Sequence, residues 1–298
     1  MVGNSAALNG GGAYYSTLNN CTVISNSSSG GGGAYYSSLA NCNLTTNSGS
    51  FGGGAFGCLL INCALTGNSA SGYGGGSGAY FGTLSNCTIT GNSALNSGGG
   101  ASSAVLANCM LISNSAKQGG GASSSTVSNC IITGNLASSG GGVYSGTVNN
   151  CTLTGNSATN SGGGAYSATL KNCVLTSNSA NDGGGVEYGT LTNCTLTGNS
   201  AVYGGGAYYV ALNNCIAYFN SASLDPLGGN YSGANLNYCC TTPLPVSGSG
   251  NLTADPQLAS PSHLSAGSPC RGAGKASYAS GVDIDGEPWA KSTVRRLR

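Results

Sequence analysis

Fourteen cysteines, seven carboxylates and one histidine are the residues of this chain with chemistry to offer. Glycoside hydrolysis needs two carboxyl groups roughly 5–10 Å apart. Only Asp182 and Glu187 precede residue 225, and they flank one glycine triplet, where they could approach each other. The nearest base, Lys171, stands in a different column of the pattern. Both acids read as solvated residues at a corner, with a weak Ca²⁺ site as the sharper alternative. Asp225, Asp255, Asp283, Asp285 and Glu287 lie near the C-terminus. Asp283-x-Asp285-Gly286-Glu287 has the flavour of a cation loop but lacks the further spaced ligands of a twelve-residue calcium loop. It reads as a capping turn. His263 has no companion for a triad or a zinc site. No catalytic residue, no metal ligand and no cofactor are expected.

The cysteines carry a different message. Eleven of them, Cys21, Cys42, Cys63, Cys87, Cys109, Cys130, Cys151, Cys173, Cys194, Cys215 and Cys239, are separated by 21, 21, 24, 22, 21, 21, 22, 21, 21 and 24 residues. So regular a period makes the unit of structure a coil stacked on copies of itself. Within a coil, short stretches alternate apolar and polar residues between Gly or Asn corners, which is strand patterning. Inward columns follow from that alternation. They hold Leu or Val three residues before the cysteine, an aliphatic residue two after it, and Ala or Val after the glycine triplet. The cysteine shares their parity, so Cys21 to Cys215 are expected to be buried free thiols filling a small apolar slot. In-register parallel side chains disfavour the disulfide torsion. Cys58 is expected at an outward or corner position, and Cys240 and Cys270 are the best candidates for a bond.

Two Asn columns accompany the cysteine, one just before it and one five residues after it, as Asn129 and Asn135 show. Both are expected to sit at left-handed corners and to bond their equivalents one coil away as ladders. Asn-Cys-Thr sequons such as Asn86-Cys87-Thr88 are expected to be unmodified at a packed corner. Extra residues cluster at one corner, with Ser77-Gly78 following a triplet.

Two features face outward. An aromatic column four residues before the Leu holds Tyr14, Tyr35, Phe56, Tyr80, Tyr144, Tyr166 and Tyr208, interrupted by Ser102, Ser123 and Glu187. Stacked rings stabilise a parallel sheet by themselves, and the same rings are the candidate binding platform for a glycan or a partner. Thr pairs after the cysteine, Thr88/Thr90, Thr152/Thr154 and Thr195/Thr197, resemble an ice-binding array that Met110, Ile131 and Val174 break.

Composition excludes several classes. Charged residues are 5% of the chain and the net charge is +1, so a nucleic-acid partner is not expected. No run of apolar residues is long enough for a transmembrane helix. No signal peptide is visible, and Gly3-Asn4-Ser5-Ala6 already matches the end of later repeats. That suggests a fragment of a longer protein.

The pattern Gly-Gly-Gly-Ala-Tyr … Leu-x-Asn-Cys-Thr-Leu-Thr-Gly-Asn-Ser-Ala resembles the right-handed parallel β-helix repeats of bacterial surface and secreted proteins. It is similar to the polymorphic outer-membrane protein repeats, with Leu or Val in place of their Phe. Asp255-Pro256-Gln257, Leu264 to Cys270 and Asp283 to Trp289 resemble the terminal segment of such proteins. The expectation is an all-β, right-handed parallel β-helix of about ten coils with three short strands each. Residues 1–224 would form the helix, and 225–298 a last partial coil and capping segment. The resemblance implies an extracellular or cell-surface structural or adhesive module without catalysis. A pectin-lyase-like carbohydrate-binding or -cleaving protein and an ice-binding solenoid are the alternatives. Expected partners are an extracellular glycan, another protein surface or a further copy, end to end or laterally.

Overall fold

The computed structural model describes residues 1–73, 75–225 and 228–279. They fall into two compact units, Met1–Thr147 and Val148–Arg298. Each is a parallel β-solenoid; the 3₁₀ turn Ala276–Tyr278 is the one helical element among the described residues.

The coil that begins at Ala122 shows the plan. A first face carries the strands Ala122–Ser123 and Thr126–Ser128, a second Ile131–Thr133, and a third Leu136–Ser139. Left-handed residues turn the chain at Ser124 (φ 48°), Asn129 (φ 53°), Gly134 (φ 63°) and Gly140 (φ 65°). The Asn before the cysteine is thus left-handed as expected. At the second Asn column the corner falls one residue earlier, on Gly134 here and on Ser25 or Thr46 elsewhere. The Asn itself is freed to point inward.

Pairing is parallel and in register. Ala13 lies opposite Ala34, Leu18 opposite Leu39, and in the second unit Leu175 opposite Leu196. Register survives the 24-residue coil, where Leu60 still pairs with Leu84. The amides of Gly54 and Ala55 bond the Ser77 and Gly78 carbonyls at 2.8 and 3.0 Å. Ser77-Gly78 therefore take the place of triplet glycines, and the extra residues loop out before them, with Tyr73 exposed. The triplet is needed because a neighbouring backbone passes where a side chain would stand. A Cβ at Gly121 would lie 2.6 Å from the Gly142 carbonyl oxygen.

The core is a narrow column of Ala, Leu, Val, Ile and Cys. Cys42 and every later column cysteine are buried, and Cys21 is half-buried. All fourteen thiols are free. Within the column each thiol bonds the backbone; Cys42 donates to the Ala40 carbonyl at 3.1 Å, while the Cys42 amide meets Cys63 Sγ at 3.4 Å. Cys58 is buried too, contrary to the outward position expected for it. The left-handed residue Gly57 breaks the strand alternation, so the residue after it turns inward. Ser37, Ala104 and Ser125 are buried in the same column. Burial pushes the Cys58 thiol up to about 11.

The second Asn column is a ladder buried from Asn26 to Asn199 and half-buried at Asn220. Asn26 donates both its amide N–H and its Nδ2 to Asn47 Oδ1 at 3.0 Å, and Asn47 Nδ2 reaches the Val23 carbonyl at 2.9 Å. In the second unit Asn178 bonds Asn199 in the same way, at 3.0 and 2.9 Å. Each side-chain amide saturates backbone groups that a corner would otherwise orphan.

Candidate functional site

Two regions gather the side chains that face out. In the first unit the aromatic column stacks. Tyr14 and Tyr35 lie 5.6 Å apart with planes 6° from parallel, and Tyr35 and Phe56 lie 4.9 Å apart. Phe56 meets Tyr80 edge to face at 5.3 Å. Beside it runs a second column that the sequence reading missed. Tyr15, Tyr36 and Phe81 occupy the left-handed position after the first ring, and all are exposed, Tyr15 by 64%. Tyr15 and Tyr36 stack at 5.6 Å and 9°. Strict strand alternation would have sent this second residue inward. The left-handed backbone rotates it out, so two consecutive residues face solvent. The doublets Tyr14-Tyr15, Tyr35-Tyr36, Tyr80-Phe81 and Tyr208-Tyr209 were the available signal. Tyr144 also belongs to this unit and is half-buried, while Ser102 and Ser123 in the same column are buried.

The second unit has a mixed corner. Glu187 stands between Tyr166 and Tyr208 in the sheet register. Tyr166 meets Tyr188 edge to face at 5.7 Å, and Tyr188 stacks on Tyr209 at 6.0 Å. Glu187 is 5% exposed, not solvated as expected. Burial pushes its carboxyl up, a hydrogen bond with Ser161 opposes this, and nearby Asp182 adds to the rise. Its second oxygen, Oε2, is buried without a hydrogen-bond partner. Ser161, Asp182 and Tyr203 line up in neighbouring coils. Burial, a hydrogen bond with Tyr209 and the two acids push the Tyr208 phenol up to about 12. Lys171, at the far end of the strand Ala165–Lys171, lies opposite Thr192 in the sheet register.

The remaining sequence candidates disperse. Ser260 and Ser262 Oγ meet His263 Nδ1 at 2.9 and 2.8 Å, all within one exposed hairpin turn. No group of three or more metal-ligating side chains forms among the described residues. The Thr array is not one continuous free face: Thr88 is exposed, whereas Thr195 is 2% exposed. The Asn-Cys-Thr corner expected to be packed is exposed at Asn86 and buried at Asn193. Cys240 and Cys270 lie in one small cluster with Ile216, but as free thiols and not as the bonded pair expected; Cys240 donates to the Ala254 carbonyl at 3.2 Å. The loop Asp283-x-Asp285-Gly286-Glu287 lies outside the described residues.

This geometry defines the chain as a repeat-built parallel β-solenoid. No family model and no curated protein matches it. The resemblance to polymorphic outer-membrane repeats is therefore not supported beyond the β-solenoid coil. Among solved structures the chain is similar to QnrB1, a plasmid-mediated fluoroquinolone resistance protein. That match has 15% identity and a TM-score of 0.25, over 75% of this chain and 90% of that one. It is also similar to HetL, a pentapeptide repeat protein involved in heterocyst differentiation regulation from the cyanobacterium Nostoc. Identity there is 14% and the TM-score 0.29, over 83% of this chain and 93% of that one.

Proposed function

We propose that this solenoid is a non-catalytic structural module, extracellular or at a cell surface, whose aromatic columns adhere to a protein surface. The observation that carries the reading is the way the rings are spent. In the paired stacks Tyr14–Tyr35 and Tyr15–Tyr36 the faces cover each other. A sugar ring docks on an open aromatic face, and these rings offer edges and hydroxyl groups instead. A protein surface can use such edges through polar and apolar contacts together. Another copy of the same chain is the simplest such surface. Stacking also supports the sheet, at about 0.2–1 kcal/mol per cross-strand pair. The non-catalytic part rests on the scarcity of acids: Asp182 and Glu187 are the only carboxylates before residue 225, and Glu187 is buried. Glycoside hydrolysis needs both carboxyl groups to reach the scissile bond.

Beads coated with the purified chain test the reading. They should clump, and beads bearing Tyr15→Ser, Tyr36→Ser and Phe81→Ser together should not. Binding to a glycan array that the triple variant loses, without clumping of the wild type, would favour the glycan-platform alternative. Release of reducing or unsaturated ends from acidic polysaccharides would refute the non-catalytic reading.

A further inference from the structure

A carboxylate that loses its water should find a hydrogen-bond donor or a counter-charge. Glu187 has found half of one. One side of its carboxyl group bonds Ser161, and Oε2 is buried and unpartnered. Another acid, Asp182, half-buried on the same glycine corner, acts on it electrostatically. Two carboxyl groups brought together in a poorly solvated site repel, unless a proton or a cation stands with them. The polar groups that act on this corner are oxygen donors: two carboxyls, the Ser161 hydroxyl, and the phenol of Tyr208, which feels both acids.

We propose that Glu187, Asp182 and Ser161 form a binding site for one hard divalent cation, with Ca²⁺ the best fit. The donor set excludes soft metals, which select thiolate or imidazole. Ca²⁺ accepts irregular oxygen sites completed by water, whereas Mg²⁺ demands near-octahedral geometry. Two carboxylates and few protein ligands place the site in the weak class, with half-saturation at about 10⁻⁴–10⁻³ M. Bound there, the ion would tie the Ser161, Asp182 and Glu187 corners of successive coils together. The role is structural and is independent of the adhesive reading above.

Tb³⁺ is a direct probe, because tyrosine sensitises its luminescence and Tyr208 adjoins the site. Excitation of the wild-type chain at the tyrosine band should give Tb³⁺ emission that saturates and is displaced by Ca²⁺. Glu187→Gln and Asp182→Asn should each weaken the saturating phase about tenfold or more. Emission that is absent, or unchanged in Glu187→Gln, overturns the site. Melting of the wild-type chain gives a check that needs no variant. Millimolar Ca²⁺ should raise the melting temperature relative to chelator, and an identical midpoint in both overturns the proposal. A midpoint insensitive to Ca²⁺ that falls as pH rises would assign a proton, not an ion, to the pair.

Discussion

The same column of the repeat meets opposite fates in the two units. In the first unit the residue after the cysteine faces water: Ile131 is 44% exposed and Met110 is exposed as well. In the second, Val174, Thr195 and Ile216 are buried, Ile216 completely. The strands themselves do not differ. What differs is the chain that follows them. Leu252, Leu258, Leu264 and Cys270 pack on Ile216 and Cys240 at the end of this face. The corner beside it changes in the same way. Asn193 and Asn214 extend their Nδ2 groups to the Tyr278 and Lys275 carbonyls at 3.1 and 3.0 Å, while Asn86 and Asn108 remain exposed. A repeat thus sets which side chains leave the coil, and a later segment decides which of them see solvent.

The sharpest test places one substitution in both units. Ile216→Asp should cost about 3–5 kcal/mol, the range for an uncompensated buried charge. Ile131→Asp should fall within about 0.5 kcal/mol of wild type. Denaturant melts of the two variants give the comparison, and equal costs would break it. The buried Asn ladder predicts the opposite outcome, equality. Asn47→Ala and Asn178→Ala each strip partners from buried amide and carbonyl groups. At ~1–3 kcal/mol per orphaned group, each should cost about 2–4 kcal/mol. A cost confined to one unit would show that the ladder is not the common support.

Smaller effects separate the outer surfaces. Replacing Tyr14, Tyr35 and Phe56 by Ser removes two stacked pairs and should cost about 0.5–2 kcal/mol. Replacing Tyr166 and Tyr208, which Glu187 separates, should cost less in the same melting assay. Thiol accessibility gives a count: in the native chain Cys21 alone of the repeating column should react readily with an alkylating agent. All fourteen should react in denaturant, as mass spectrometry would show. The smallest effect concerns Glu187, whose folded carboxyl holds its proton to higher pH than the unfolded one. The folded state then binds more protons between the two values. In the absence of divalent ions, this contribution is full below the ordinary carboxylate range and is lost as pH rises through the raised value. Glu187→Gln should flatten that limb of the stability–pH curve, and an unchanged slope would remove the assignment.

The inward columns, the register and the buried Asn ladder were legible in the residues alone. The reason is that an in-register stack repeats every side chain's environment, so eleven copies of a position report one environment eleven times. The Cys42 and Leu44 columns could be read as core before any coordinate was known. Positions that depend on a single backbone angle were not legible. Cys58 reversed its expected side and the Tyr15 column went unnoticed, because a left-handed residue interrupts the two-residue alternation, and Gly, Ser, Tyr and Phe all occupy that bend. Asp182 and Glu187 could be paired by spacing. Only the tertiary structure buried one of them between tyrosines and left its oxygen without a partner. Sequence by itself determined what repeats, because stacking couples like to like. Burial of Ile216 and Asn214 was decided by the folded chain, because the tail that packs on them is not part of the repeat.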